Sequence, residues 1–305
     1  MKHLISIHDL SLEEVNKIFE LSAKLKKERK QGIPHPLLKG KTLGMIFTKS
    51  STRTRVSFET GMYQLGGNAI FLSSDDIQIG RGESIYDTAK VLSRYVDGIM
   101  IRTFAHSDVE DLAKYGSVPV INGLTDYLHP CQVLADLFTV LEYKETFKGL
   151  KLAYIGDGNN MANSLLYGCA KVGMDISVAT PNGYECDRTV YQGALEDAGE
   201  SGAKILETND PREAIKDADV VYTDTWVSMG QESEKEKKIK VFKDYQVNAE
   251  LFSLAKKDAM FLHCLPAYRG FEVTEDVIDG PNSAIFDEAE NRLHVQKAIM
   301  VLLMG

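Results

Sequence analysis

Short apolar runs alternate with segments of helical periodicity along most of this chain, and this alternation restricts the possible fold more than any other feature. In the first half the strand-like runs are TLGMIF, AIFLS, GIMI and VPVI, at residues 42–47, 69–73, 98–101 and 118–121. In the second half they lie at residues 151–156, 176–180, 220–224, 260–264 and 283–287. Strands that alternate with helices indicate parallel sheets covered by helices on both faces.

A helix predicted to begin at Pro130 separates the two halves. Proline suits the first turn of a helix, because its missing N–H would have no partner there. The length of 305 residues also favours two domains. We therefore predict an α/β fold with two Rossmann-like domains, each built on a parallel sheet and joined by a bridging helix. The predicted segments are a first domain at 1–130, the bridging helix at 131–149, a second domain at 150–285 and a C-terminal helix at 286–305.

The composition excludes several classes of partner. A formal net charge of −9 argues against nucleic acid or an anionic membrane as the main partner. No segment approaches the ~18 apolar residues of a membrane span. The four cysteines are widely spaced and form no CxxC pair, which favours a reduced protein of the cytoplasm.

The stretch SSTRTR at residues 50–55 lies between a predicted strand and a predicted helix. Short hydroxyl side chains suit the N-terminus of a helix, where free N–H groups and the helix dipole attract anions. Arg53 supplies a planar guanidinium group that matches phosphate oxygens, whereas Arg55, further into the helix, is expected to brace the fold. The alternative is a well-capped surface helix with exposed arginines.

Further polar residues follow neighbouring strands. Arg102 comes directly after GIMI, and His129 stands at the start of the helix after VPVI. Ligands of open parallel sheets bind at the carboxyl ends of the strands. Arg102 and His129 therefore strengthen the interpretation of SSTRTR as an anion site, and His129 could donate a hydrogen bond to a ligand carbonyl.

The segment GDGNN at 156–160 matches the first two glycines of a dinucleotide-binding motif, GxGxxG. The third position is Met161, and the next strand ends in SVAT without an acidic residue for a ribose. The motif therefore fails at two points, and we do not expect NAD.

His263 and Cys264 are adjacent, so in extended chain their side chains point in opposite directions and His263 is badly placed to activate the thiol. Cys264 is predicted to form a small polar wall of a binding site, or else to be a buried structural cysteine. Asp224 follows another strand and could pair with an ammonium group, the alternative being a turn capped by Asp224. The His, Cys and Asp residues show no ligand spacing, and no metal is expected.

Four motifs together resemble the carbamoyltransferases, and within them the ornithine carbamoyltransferases: SSTRTRVSFE, HPCQ, DTWVSMGQE and HCLPA. The similarity runs from the first helix to FDEAENRLHVQKAIM and covers essentially the whole chain. In this family STRTR with HPCQ is a specific signature of carbamoyl phosphate binding. The SMG sequence with HCLPA points to ornithine rather than aspartate as the acceptor.

The resemblance implies two sets of substrate-binding residues. Those that would hold carbamoyl phosphate are Ser51, Thr52, Arg53, Thr54, Gln78, Arg102, His129, Pro130, Cys131, Gln132, Cys264, Leu265 and Arg292. Those that would bind L-ornithine are Asn160, Asp224, Ser228 and Met229. The residues with an implied catalytic role are Arg102, His129, Cys264 and Thr54. No cofactor and no metal is implied.

Two further expectations come from the resemblance. Gln78 would act from a neighbouring subunit, so a homotrimer or a multiple of trimers is expected. The C-terminal helix would pack back on the first domain and bring Arg292 to the carbamoyl group.

The expected reaction is direct attack by a neutral amine on the carbamoyl carbon, giving a tetrahedral oxyanion that collapses with loss of phosphate. Arg102, His129 and Thr54 could donate hydrogen bonds to that oxygen. Asp224 and Cys264 would position the amine. The remaining alternatives are another acceptor, such as putrescine or acetylornithine, and a non-catalytic protein that binds a phosphorylated metabolite.

Overall fold

A computed structural model describes residues 1–227, 230 and 232–305 of the chain. The chain divides into two compact units: unit 1 comprises Met1–Ala135 and Glu290–Gly305, and unit 2 comprises Asp136–Ala289. Both divisions fall inside a helix, the first in α5 (Pro130–Lys144) and the second in α12 (Ile285–Met304). Among the described residues, no helix combines the length and the apolar character needed to cross a membrane.

Unit 1 contains a four-stranded parallel sheet with the strand order β2-β1-β3-β4. Its strands are β1 (Thr42–Phe47), β2 (Asn68–Ser73), β3 (Gly98–Arg102) and β4 (Val120–Leu124). Its other helices are α1 (Leu12–Lys30), α2 (Thr52–Gln64), α3 (Ile85–Leu92) and α4 (His106–Tyr115), with a 3-10 turn at Gln78–Arg81. Helix α1 begins with the capping box expected from Ser11 and Glu14.

Unit 2 contains a five-stranded parallel sheet with the order β7-β6-β5-β8-β9. Its strands are β5 (Lys151–Ile155), β6 (Asp175–Ala179), β7 (Ile205–Thr208), β8 (Val220–Tyr222) and β9 (Met260–Leu262). Its helices are α6 (Asn160–Val172), α7 (Arg188–Ser201), α8 (Pro211–Ile215), α9 (Lys235–Phe242), α10 (Ala249–Phe252) and α11 (Glu275–Ile278). Two 3-10 turns lie at Glu232–Glu234 and Lys243–Tyr245.

Each sheet has one point where the direction of strand addition reverses. In unit 1 this point lies between β1 and β3, and in unit 2 it lies between β5 and β8. The crevice outside the carboxyl ends of two such strands is the usual ligand site of an open α/β sheet. The polar segments that the sequence singled out follow these strands, at residues 48–55, 102–104, 156–160 and 223–227.

The prediction of parallel α/β sheets is confirmed, but three strand assignments need correction. The run at 118–121 was placed too early, because β4 begins at Val120. The four-residue edge strand β7 was missed. The run at 283–287 is not a strand: Ser283 makes one isolated bridge to Phe261, and α12 begins at Ile285. Ile285, Glu288 and Arg292 are all buried, which is the spacing of one helix face.

Candidate active site

The N-terminus of α2 carries the hydroxyl groups of the STRTR segment. Ser51 is the N-cap in an extended conformation, and its Oγ accepts the backbone N–H of Thr54 at 3.2 Å. The predicted start of this helix is therefore confirmed. Thr52 is exposed and Arg53 is partly exposed at the same end. The remaining N–H groups of the first turn face outward from a positive helix end, which suits an anion.

Three buried side chains from separate helices meet beside this N-terminus. Arg292 of α12 donates from Nη2 to Thr54 Oγ1 at 2.8 Å and from Nη1 to Gln132 Oε1 at 2.5 Å. All three residues belong to unit 1 and are buried. A guanidinium group held at two nitrogens by protein acceptors has a fixed orientation, so its charge is preorganised.

Arg102 is the last residue of β3, at the point where the register with β4 shifts. Ile101 pairs with Asn122, whereas Arg102 pairs with Leu124, so Gly123 is an extra residue in β4. A Cβ atom at Gly123 would lie 2.5 Å from the sulfur of Met100 and 3.0 Å from the carbonyl oxygen of Ile101, so a side chain does not fit there. Such bulges often occur next to active sites, where they redirect a side chain.

His129 is buried just before α5, and four cations act on it. Burial lowers the pKa of His129 well below 6.5, and the charges of Arg292, Arg102, Arg53 and Lys49 lower that pKa further. His129 is therefore neutral at neutral pH. A neutral imidazole can donate one hydrogen bond to a developing oxyanion without exchanging a proton with solvent.

Lys49 is a member of this group that the sequence reasoning missed. Its Nζ is paired with the Asp126 carboxylate and lies 4.4 Å from the centre of the Phe104 ring, and the lysine is buried. A charged lysine inside a polar segment was the only available signal. We call Lys49, Arg53, Arg102 and Arg292, together with His129, the cationic cluster.

Other residues predicted from the sequence lie apart from these contacts or serve different partners. Arg55 bonds Glu59 at 3.0 Å and stacks 3.7 Å from the Phe71 ring centre, which confirms that it braces the fold. Cys131, next to Pro130 in the first turn of α5, donates to the Asn122 carbonyl at 3.3 Å, and burial raises the pKa of this thiol to about 12. Gln78 is exposed on its 3-10 turn.

In unit 2, Asp224 follows β8 and is bonded from two directions. Asn159 Nδ2 donates to Asp224 Oδ2 at 2.8 Å, and the Cys264 thiol donates to Oδ1 at 3.1 Å. The Thr225 N–H also bonds Oδ1 at 2.7 Å, so the turn-capping interpretation of Asp224 holds as well. We call Asn159, Asp224 and Cys264 the Asp224 cluster.

The side chain bonded to Asp224 is Asn159, the N-cap of α6, rather than the predicted Asn160. Asn160 is the first residue of that helix and is partly buried, and its proposed role in binding remains a prediction. In the sequence NN, either asparagine could have been the N-cap, and the helix boundary decides between them. Ser228 and Met229 lie outside the described residues.

The Cys264 thiol is partly exposed and stays protonated. Burial of the sulfur and the neighbouring charges of Asp224 and Glu288 raise its pKa well above 9.0. It is therefore a hydrogen-bond donor rather than a nucleophile. Leu265 follows in a left-handed conformation with φ 57° and donates its N–H to His263 Nδ1 at 2.9 Å.

His263 and Cys264 have separate partners, as the sequence predicted. His263 is fully buried, with Nε2 at 3.3 Å from Glu272. Ligand atoms of Asp224, His263 and Cys264 lie within 4.8 Å of one another. Both imidazole nitrogens are nevertheless engaged with protein groups, so we assign this trio to hydrogen bonding.

A buried ion pair lies beside the Asp224 cluster and was not foreseen. Lys238 of α9 donates to Asp157 Oδ2 at 2.6 Å, and both residues are buried. The sequence predicted that the charged run at 232–245 is solvated, which holds for its flanking lysines but not for Lys238. Tyr154 connects the two groups, since its hydroxyl lies 2.8 Å from the Asp157 carbonyl and 3.4 Å from Asn159 Oδ1.

Gly158 is explained by packing rather than by a bound dinucleotide. A Cβ atom at this position would lie 2.4 Å from the carbonyl carbon of Glu185, and the Gly158 N–H bonds the Tyr184 carbonyl at 2.9 Å. The loop after β5 therefore needs glycine to pass close to the 184–186 segment.

Comparisons with known proteins agree with these two sites. The family model described as aspartate/ornithine carbamoyltransferase, carbamoyl-P binding domain, matches residues 2–142. The model described as aspartate/ornithine carbamoyltransferase, Asp/Orn binding domain, matches residues 148–303.

Similar proteins extend over the whole chain. An ornithine carbamoyltransferase of Caldicellulosiruptor saccharolyticus is 61% identical over 303 residues, covering 99% of this chain and 98% of the relative. A protein of Pyrococcus furiosus named ornithine carbamoyltransferase, anabolic, is 57% identical and covers 100% of this chain and 96% of its own length. The solved ornithine carbamoyltransferase from Pyrococcus furiosus superposes with a TM-score of 0.97 at 56% identity, covering 100% of this chain and 97% of that chain. The resemblance inferred from the sequence is thus confirmed, and the chain belongs to the aspartate/ornithine carbamoyltransferase family.

Proposed function

We propose that this protein transfers the carbamoyl group of carbamoyl phosphate to the side-chain amine of L-ornithine, giving L-citrulline and phosphate. The observation that carries the proposal is the cationic cluster at the switch point of unit 1, in a chain whose relatives named ornithine carbamoyltransferase are up to 61% identical over 99% of its length. A doubly charged phosphate needs such a local site, because the chain as a whole is acidic.

In unit 1 the phosphate is held at the N-terminus of α2 by Ser51, Thr52, Arg53 and Thr54. Arg102 bridges the phosphate and the carbamoyl oxygen, and His129 and Gln132 complete the carbamoyl pocket with the backbone at Pro130 and Cys131. Arg292 contributes through its bonds to Thr54 and Gln132. Its fixed position supports this role, since a preorganised cation needs little reorganisation as charge develops.

The acceptor is held by unit 2. Asp224 is buried and bonded by Asn159 and Cys264, so its carboxylate is in a fixed orientation suited to an ammonium or amine group. Asn160, Ser228 and Met229 complete the ornithine site, and Leu265 shapes it beside Cys264. The acceptor amine must attack in its neutral form, and a protonated Cys264 cannot remove its proton. We infer that the proton leaves to solvent before attack.

The chemical step is attack of the amine nitrogen on the carbamoyl carbon, followed by cleavage of the carbon–oxygen bond to phosphate. The tetrahedral oxyanion accepts hydrogen bonds from Arg102, from neutral His129 and from Thr54. Each oriented donor of this kind is worth about 2.7–4 kcal/mol in related reactions. Binding two small substrates in one orientation supplies a further part of the acceleration.

The active assembly is proposed to be a homotrimer, or a multiple of it, in the cytoplasm. The exposed position of Gln78 on its 3-10 turn is compatible with a role in a neighbouring subunit, where it would reach the phosphate. Light scattering of the purified protein tests the mass. A monomer that is fully active at assay concentration would contradict the role of Gln78.

The function is tested by measuring phosphate release and carbamoylated product with four amines: ornithine, putrescine, acetylornithine and aspartate. Ornithine should give the highest kcat/KM. A higher value for putrescine or acetylornithine would identify another acceptor, and no turnover with any amine would indicate a binding protein. Arg53→Ala should abolish measurable turnover, whereas Arg55→Ala, two residues along the same helix, is the matched control and should keep it.

A further inference from the structure

Two buried carboxyl groups of unit 2 have no part in the mechanism above. Asp136 of α5 is 1% exposed, and Glu288 of α12 is 0% exposed. Their side chains are hydrogen bonded to each other. Glu288 also accepts the Tyr222 hydroxyl at Oε1, at 3.2 Å, and the backbone N–H of His263 at Oε2, at 2.9 Å.

A hydrogen bond between two carboxyl groups needs a proton, because two carboxylates can only accept. Burial raises the pKa of Glu288 well above 4.5, and the adjacent Asp136 raises it further. Glu288 already accepts two hydrogen bonds from neutral donors, which favour its ionised form. The pair is therefore expected to hold one proton, with Asp136 as the donor and Glu288 as the acceptor.

The His263 N–H that bonds Glu288 begins the turn that presents Cys264. The same turn is held on its other side by the buried imidazole of His263, which accepts the Leu265 N–H and faces Glu272. Leu265 is in a left-handed conformation, which is unfavourable for a branched side chain unless the surroundings hold it. The Glu288 carboxylate is thus one of few contacts that fix where the Cys264 thiol points.

We propose that Asp136 and Glu288 are a proton-sharing carboxyl pair that positions Cys264, and through it Asp224, by holding the backbone N–H of His263. The inference rests on the proposed function for its kinetic consequence, because the positioned groups belong to the ornithine site. Asp136 and Glu288 are positioning residues, since neither bonds the substrate in this account. The titratable groups that surround the pair are Tyr222 of β8, Cys169 of α6, and Asp224 and Cys264 after β8 and β9.

The shared proton has a spectroscopic signature that a packing role lacks. Difference infrared spectra of the wild-type protein against Asp136→Asn, and separately against Glu288→Gln, should each lose one protonated-carboxyl carbonyl band, because the single remaining carboxyl group is ionised. Asp197→Asn is the matched control, since Asp197 is a buried carboxylate of unit 2 paired with Lys171 at 2.6 Å. It should leave the band in place. Absence of the band from the wild type would overturn the proposal.

The positioning role is tested by comparing polar and apolar replacements. Glu288→Gln keeps an acceptor oxygen for the His263 N–H and a donor for Asp136, and should keep at least about a third of kcat/KM for ornithine. Glu288→Leu removes the acceptor and should lower kcat/KM for ornithine at least about tenfold, while KM for carbamoyl phosphate stays the same. If Glu288→Leu does not fold, Asp136→Leu takes its place. An apolar variant that equals the wild type would overturn the proposal.

A readout independent of catalysis separates this inference from the proposed function. Cys264 is the partly exposed cysteine, whereas Cys131, Cys169 and Cys186 are buried. Its alkylation by iodoacetamide, followed by peptide mass spectrometry, should accelerate in Glu288→Leu and stay unchanged in Glu288→Gln and Asp197→Asn. If wild-type protein does not carbamoylate ornithine, the proposed function fails. The infrared band and the alkylation rate then still decide about the pair, and equal alkylation rates in all variants would contradict it.

Discussion

The two units of this protein have the same kind of parallel sheet, but the residues at their switch points carry opposite charge. In unit 1, the ends of β1 and β3 present the cationic cluster around a neutral His129. In unit 2, the ends of β5 and β8 present Asp157 and Asp224, with the protonated thiol of Cys264 beside them.

The comparison shows that ligand charge is selected by a few side chains at one edge of a sheet, and not by the fold. Both sheets offer free backbone groups and helix N-termini at their carboxyl edges. Unit 1 adds guanidinium groups to them, which suits a phosphate. Unit 2 adds a carboxylate and neutralises a second one with Lys238, so Asp224 is left as the acidic group for a cationic ligand.

The largest expected effect comes from removing a central cation. Arg102→Met should lower kcat about 100- to 1000-fold, because one oriented donor to the oxyanion is lost. Steady-state kinetics with carbamoyl phosphate varied measures this loss. Arg94→Met, at an exposed arginine that bonds the Lys90 carbonyl, is the control and should match the wild type. A loss under tenfold for Arg102→Met would break the comparison for unit 1.

The corresponding change in unit 2 should affect the other substrate. Asp224→Asn removes the carboxylate charge but keeps the shape, and KM for ornithine should rise about 10- to 100-fold, as expected for a charge-assisted hydrogen bond. Asp244→Asn, at an exposed position of the same unit, should leave KM unchanged. If Asp224→Asn instead raised KM for carbamoyl phosphate, the assignment of the cationic ligand to unit 2 would be wrong.

A smaller effect is expected from the thiol. Cys264→Ala removes one neutral hydrogen bond to Asp224, and kcat/KM for ornithine should fall about 3- to 10-fold. Thermal unfolding serves as the check for general damage, since a partly exposed cysteine contributes little to the core. Unchanged affinity and rate in this variant would remove Cys264 from the ornithine site.

The smallest expected effect concerns acid stability of unit 1. Burial, with help from Lys297, lowers the pKa of His294 from 6.5 to about 4. The unfolded chain therefore binds a proton below pH 6.5 that the folded protein binds only near pH 4, and stability is lost as the pH falls through this window. In His294→Leu the fall in Tm between pH 7 and pH 4.5 should be about 2–4 °C smaller than in the wild type. An identical fall in both proteins would contradict this assignment.

Much of the fold could be predicted because the local signals agree with one another. Strand β1 and the capping box of α1 were predicted where the structure has them. Errors arose where periodicity is ambiguous over four or five residues. The run SAIFD has the composition of a strand, and only the buried positions at 285, 288 and 292 show that it starts a helix. The edge strand β7 is short and half polar, so it resembles a loop.

The candidate site was predictable where a residue type has few other uses, and not where tertiary contacts decide. Hydroxyl and guanidinium groups at a helix start indicate an anion site from sequence alone. The pairing of Asp224 with Asn159, and the burial of Lys238 in a charged run, depend on segments that are distant in sequence. Gly123 did carry a usable signal, because an isolated glycine in a strand pattern often marks a bulge.

The division of labour between the two units is tested most directly by calorimetric titration of carbamoyl phosphate into three full-length proteins: the wild type, Arg102→Met and Asp224→Asn. This account predicts that Asp224→Asn binds carbamoyl phosphate with the wild-type Kd, whereas Arg102→Met binds it at least about tenfold more weakly. Equal weakening in both variants would contradict the account, because the phosphate would then depend on the acidic residues of unit 2 as much as on the cationic cluster of unit 1.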